Sequence, residues 1–193
     1  MADAAGLNWL LSQQQTDGRI AAPADETLPQ HASFEALRTL GHLGAPETTT
    51  AQAAAFVSSN IAQDLPFVVR RLRAQHLSGA DTGSSVADLV AYQNPDGGFA
   101  SRPGDQSRVL DTLDALEALR DLEVEDPAVV GSALGFLLAK QRLDGGFGSS
   151  EASLSSVYLT ARAVMLLRDH RFEFAVSAAL EAAARFLWAE QRG

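Results

Sequence analysis

The sequence predicts an all-α protein made of paired helices arranged in two layers. Three observations carry that prediction. A glutamine–glycine element recurs, as LLSQQQTDGRI at 10–20, LVAYQNPDGGF at 89–99 and LLAKQRLDGGF at 137–147. Alternating β-branched runs are nearly absent elsewhere, whereas Ala, Leu, Glu and Arg dominate, a composition of helices rather than strands. Hydrophobic residues fill 46% of the 193 positions and charged residues 20%, so a sizeable core is available.

Recurrence sets the register. The glutamines are Gln14, Gln93, Gln141 and Gln191, separated by 79, 48 and 50 residues. The long first interval hides a worn copy at 56–64, with Ile61 in the glutamine position, and RFLWAEQRG at 185–193 begins a further one. Self-similarity at a fixed period marks a repeat architecture, in which each unit buries its face on the next.

Helices are predicted at 3–15, 31–43, 47–61, 65–77, 83–93, 106–121, 127–141, 153–169 and 173–191. Asp126-Pro127 reads as an N-cap followed by proline at the first helical position, and Pro46 and Pro66 sit near helix starts. Gly44 and Gly79 fall where helix C-terminal glycines belong. The stretch 153–169 is apolar nearly all round, as expected of a helix covered on most sides. By contrast, 127–141 keeps a narrower stripe through Val130, Leu134, Phe136, Leu137 and Leu138. Covered and half-covered helices in alternation give paired layers, one inside the other. The serine pairs 84–85, 149–150 and 155–156 are expected to cap or line helix starts. Trp9 and Trp188, read as equivalent places just before their motif glutamines, are expected to pack.

The motif has a physical reading at a helix–helix junction. The last turn of a helix leaves carbonyls without intrahelical partners, and a glutamine amide can bridge neighbouring helix ends. Gln14, Gln93, Gln141 and Gln191 take that part. The Asp-Gly steps, Asp17-Gly18, Asp96-Gly97-Gly98 and Asp144-Gly145-Gly146, then reverse the chain, because glycine adopts angles other residues avoid. Phe99 and Phe147 fold back as apolar plugs. Duplication of these residues points to a structural staple rather than to catalysis.

A Gln-x-x-x-Gly-x-aromatic element at such junctions resembles the repeat of terpenoid cyclases and protein prenyltransferase β-subunits, including squalene–hopene cyclases, which carry Trp where Phe99 and Phe147 stand. The resemblance is strongest over 82–193 and weakest over 45–80. It implies an α/α toroid, here a partial, open arc of about four helical hairpins and one extra helix. SRVLDTLDALEAL (107–119) and SSVYLTARAVMLL (155–167) look like the superfamily's inner helices. The acid of the class II cyclases lies in Asp-x-Asp-Asp-Thr. The matching residues are Arg108, Val109, Leu110, Asp111 and Thr112, so Leu110 stands where the proton donor would be. Asp111 is expected to hydrogen-bond helix ends or loops. Prenyltransferase zinc needs Asp, Cys and His, but the chain has no cysteine, and His31, His42, His76 and His170 are scattered. The Cys-Gly-Glu-Gln thioester of complement proteins is absent as well. Asp111, Asp114 and Glu117 do not match the magnesium motif of class I synthases and are expected to be the wet side of a helix.

A formal net charge of −9 argues against nucleic acid, which selects a basic face. Arg70, Arg71 and Arg73 are expected to form a solvated helix face. No apolar run approaches the ~20 residues of a membrane span, and MADAAGLNWLL lacks a signal-peptide pattern. No metal or other cofactor is expected. Residues 1–193 are read as a single α/α repeat domain, a fragment of a longer protein. Its partners would be further repeats or domains of that protein, or a second copy. The leading reading is a non-catalytic binding or scaffold module. His31, Glu35, Asp111, Tyr158 and Arg162, near the starts of inner helices, are its candidate contacts to a small-molecule or peptide ligand. The alternative is part of a terpenoid cyclase or prenyltransferase whose acid or metal site lies outside this chain.

Overall fold

The computed structural model describes residues 2–20, 29–150, 152–171 and 174–191. Its helices, in order, are α1 (Ala2–Ser12), α2 (Pro29–His42), α3 (Glu47–Ser58), α4 (Leu65–Leu77), α5 (Gly83–Val90), α6 (Val109–Asp121), α7 (Pro127–Lys140), α8 (Val157–Asp169) and α9 (Ser177–Glu190). Among the described residues there is no strand, only isolated bridges between Gln14 and Ile20 and between Gln93 and Phe99. The all-α prediction holds.

Two compact units divide the chain, Met1–Val86 and Ala87–Gly193. The division falls within α5. In the first unit, Phe34, Leu37 and Leu40 of α2, Ala53, Ala54 and Val57 of α3, and Ala74 of α4 form one core with Ile20. In the second, Phe99 and Phe147 are fully buried with Leu113, Leu116 and Leu119 of α6, Leu134 and Leu137 of α7, and Leu166 and Leu167 of α8. Burying each such phenylalanine contributes roughly 1.5–3 kcal/mol.

The turns explain why the motif recurs. Gln93 Nε2 donates to Gly97 O at 2.9 Å and, 36 residues on, to Val129 O at 2.9 Å in the first turn of α7. Gln141 Nε2 does the same to Gly145 O (2.9 Å) and Ala179 O (2.8 Å) in α9, and Gln14 Nε2 reaches Thr49 O of α3 at 2.9 Å. Each glutamine thus ties one odd-numbered helix to the next. Gly18, Gly97 and Gly145 have φ of 88°, 85° and 87°. A Cβ there would collide with the carbonyls of Gln52, Ser132 and Ala182 respectively. Backbone conformation and backbone approach both demand glycine.

A second tie runs to the even-numbered helices. Thirteen residues after the plug position stands a buried hydroxyl: Ser33, Thr112 or Thr160. Ile20 N donates to Ser33 Oγ at 3.0 Å, Phe99 N to Thr112 Oγ1 at 2.9 Å, and Phe147 N to Thr160 Oγ1 at 3.0 Å. The aspartates close each turn: Asp96 Oδ1 accepts from Gly98 N and Ser107 Oγ, and Asp144 Oδ1 from Gly146 N and Ser155 Oγ. These loops occupy the residues before α6 and α8, which is why both helices start later than predicted. In the worn copy, Ile61 is exposed and Arg71 donates instead to Asn60 O at 3.0 Å.

Local signals behave as read in most places. Asp126 caps α7 through Ala128 N at 2.9 Å, with Pro127 in its first turn. Gly44 and Gly79 take positive φ, closing α2 and α4. Ser156 caps α8, whereas the side chains of Ser84 and Ser85 lie outside the described residues. Several expectations are corrected. The face of α8 carrying Val157, Tyr158 and Met165 is exposed, so its apolar character does not mean burial on all sides. Trp9 and Trp188 are exposed too; they stand five and three residues before their glutamines and are not equivalent. The basic cluster of α4 is not a solvated face. Arg73 is buried with its guanidinium 5.0 Å from the Phe34 ring, and Arg70 lies 5.6 Å from the Phe67 ring.

Candidate functional site

The N-terminal two-thirds of α6 and α8 bring charged side chains together within the second unit. Arg162, on the second turn of α8, donates from Nη2 to Asp114 Oδ1 at 2.6 Å and from Nε to Glu117 Oε1 at 2.8 Å. All three side chains are about four-fifths or more covered. Burial opposes the guanidinium charge, but the hydrogen bonds it donates to Glu117 and Asp114 and the charges of those carboxylates outweigh it, holding the Arg162 pKa above its ordinary value. Tyr158, one turn earlier and exposed, lies with its ring centroid 5.5 Å from the guanidinium and its hydroxyl 3.5 Å from Nη1. Helical spacing of four residues produces that contact.

Asp111 sits beside this group on α6, 4% exposed, with Oδ2 lacking any hydrogen-bond partner. Burial first, and then the neighbouring Asp114 charge, push its carboxyl from 3.8 up to about 6; Arg108 opposes and Asp105 adds. The residue that would be the acid of a cyclase is Leu110, partly exposed. Thr112, the other survivor of that pattern, donates to Arg108 O at 2.8 Å and accepts from Phe99 N. Its presence therefore belongs to the turn.

Of the sequence-derived candidates, Asp111, Tyr158 and Arg162 thus fall in one neighbourhood. His31 and Glu35 lie one turn apart on α2 in the first unit, both exposed, with Glu35 Oε2 3.0 Å from Arg38 Nη1. The acidic stripe of α6 is not the wet side expected: Asp111 is buried, and Asp114 and Glu117 are held by Arg162. Sequence reasoning missed that pairing although a signal existed, since Arg162 stands 48 residues after Asp114, in the same repeat register. It missed the Ser33, Thr112 and Thr160 hydroxyls for want of a reason to look thirteen residues past the plug.

The residues do not fit the zinc of protein prenyltransferases. The chain has no cysteine, and among the described residues no three His, Asp or Glu side chains group so as to hold a metal ion. No helix among them is long and apolar enough to cross a membrane.

A comparison with curated protein sequences finds no match. Among solved structures, Candida albicans protein geranylgeranyltransferase-I complexed with GGPP is similar, with a TM-score of 0.69 at 17% identity over 96% of this chain and 68% of that one. At that identity the likeness speaks for the fold alone. The sequence also matches the prenyltransferase alpha-alpha toroid domain over residues 3–152 and again over 35–192. The match spans nearly the whole chain, and the chain belongs to the prenyltransferase alpha-alpha toroid domain family.

Proposed function

We propose that this chain is a non-catalytic binding or scaffold module of a larger protein, with a ligand patch near the starts of α6 and α8 in the second unit. Asp111, Tyr158 and Arg162 form that patch; His31 and Glu35 on α2 form a separate, lesser candidate in the first unit. One observation carries the reading. Leu110 stands where the family's proton donor would be, the chain has no cysteine for a zinc thiolate, and Thr112 is spent on the Phe99 turn. What remains is recognition chemistry: a buried carboxyl oxygen without a partner, an exposed phenol, and a guanidinium fixed in place by two carboxylates.

The competing reading is part of an enzyme of this family whose acid or metal site lies outside the chain. The test is to incubate the chain alone with GGPP and a cysteine-bearing peptide in the presence of zinc, and separately with squalene. No product is expected, under the competing reading as well. Turnover of either substrate overturns the non-catalytic reading. Binding without turnover, detected by chemical-shift changes lost in Tyr158→Ala, supports the proposed surface.

A further inference from the structure

We propose that a cleft within the second unit, between the turn after Gln93 and the turn after Gln141, binds a peptide segment through a carboxylate held by Arg108. The cleft measures about 1100 Å³ and is lined by those two turns and by Phe136, Ala139 and Lys140 at the end of α7. None of Asp111, Tyr158 and Arg162 lines it, so it is separate from the patch described above. It lies between two consecutive repeats, and no residue of α1 or α9 contributes to it.

Both walls are fixed before a ligand arrives. Asn94 Nδ2 donates to Asp105 O and to Ser107 Oγ, each at 2.9 Å, and Ser107 Oγ donates to Asp96 Oδ1 at 2.7 Å. Opposite, Arg142 Nη2 donates to Ser150 O and ties that loop down. Preformed walls lower the cost of binding. The lining is mostly polar; only Val109, Phe136 and Ala139 present apolar side chains. Small-molecule sites are lined mainly by apolar and aromatic groups. A peptide instead brings an N–H and a C=O at nearly every residue, which the exposed side chains of Gln106, Ser149 and Ser150 can meet.

Charge selects the carboxylate. Among the described residues lining the cleft, Arg108, Lys140 and Arg142 outnumber Asp96 and Asp105, in a chain whose formal net charge is −9. The main chain of Arg108 is committed to the turn: its N–H donates to Phe99 O, and its carbonyl accepts from Thr112 N and Oγ1. Its guanidinium is exposed and makes no hydrogen bond or ion pair among the described residues, acting on Asp111 through its charge alone. A planar guanidinium matches a carboxylate with two parallel hydrogen bonds. Asp96 and Asp105 in the same cleft repel a multiply charged anion, which favours a single carboxylate over a phosphate.

The test uses a fluorescein-labelled octapeptide of glycine and serine with blocked ends and one central glutamate; its control carries glutamine there. Fluorescence anisotropy with the full chain should show the glutamate peptide binding about tenfold or more tighter than the control. Arg108→Ala should erase that difference without changing the circular dichroism, since the side chain is exposed. Arg108→Lys, which keeps the charge but loses the fork, should restore only part of it. Lys140 is the only lysine in the chain, with Nζ 5.6 Å from the Phe136 ring. A carbodiimide, which activates the bound carboxylate towards amines, should therefore join the peptide to Lys140, as mass spectrometry of a digest would locate. Equal binding of the two peptides overturns the proposal, as does tighter binding of a phosphoserine version. So does a preference that survives Arg108→Ala but is lost in Tyr158→Ala, or a cross-link confined to the amino terminus. None of these results bears on turnover or on the Tyr158 patch, which the experiment above reads separately.

Discussion

Replacing Asp111 by asparagine should stabilise the protein at neutral pH and do nothing in mild acid. The native carboxyl binds its proton more tightly than the unfolded one, with a pKa of about 6 against 3.8. Between those values the folded state holds more protons, so stability falls as pH rises. The contribution is fully present below the unfolded value and gone above about 6. That difference corresponds to about 3 kcal/mol, and solvent near the first turn of α6 reduces the expected effect to about 1–3 kcal/mol. Asp111→Asn keeps the side-chain shape and removes the charge. Urea unfolding followed by circular dichroism at about pH 8 should show the variant more stable by that amount, and at about pH 3 the two curves should coincide. An advantage equal at both pH values, or a variant less stable at the higher one, would refute the reasoning. Either result would mean that the buried charge of Asp111 does not cost the fold stability.

Gly145→Ala meets both a positive φ and the Ala182 carbonyl; a loss of more than about 3 kcal/mol is expected, whereas Gly135→Ala, with open space around it, should be tolerated in the same melting assay. Gln141→Ala removes two hydrogen bonds and should cost about 1–3 kcal/mol. Gln14→Ala, which removes only the bond to Thr49 O among those described, should cost about half as much in the same denaturation experiment. Arg162→Ala removes the cation that holds Asp114 and Glu117 and should lose about 2–4 kcal/mol. Combining it with Asp114→Asn and Glu117→Gln should recover part of that loss, as a triple-mutant cycle would show. Thr160→Val leaves Phe147 N without its acceptor and should lower the melting temperature without changing the helical content.

Much of the architecture was legible because its signals are local or repeated. Asp126-Pro127 starts a helix by chemistry contained in adjacent residues, and Gly44 and Gly79 end helices by conformational freedom alone. The glutamine–glycine copies announce themselves by recurrence, so their role in joining helices follows from what an amide and a positive-φ glycine can do. Exposure was read less well. A run such as that of α8 is apolar whether its flank meets another helix or solvent, and no residue inside the run distinguishes the two. The site was legible only in part. Asp111, Tyr158 and Arg162 were singled out by position, yet the stripe of Asp114 and Glu117 looks solvated until its partner is known.

By itself the sequence determined the helical class, the repeat register, the joints between odd-numbered helices, and the loss of the family's acid position and thiolate. The tertiary structure alone decided which carboxylates are buried, that Arg162 clamps two of them from 48 residues away, and that Trp9 and Val157 face outward. The reason is one of range. Backbone conformation and recurrence are written in neighbouring residues, whereas burial and charge pairing depend on which helix comes to lie alongside, and that is fixed only when the chain has folded.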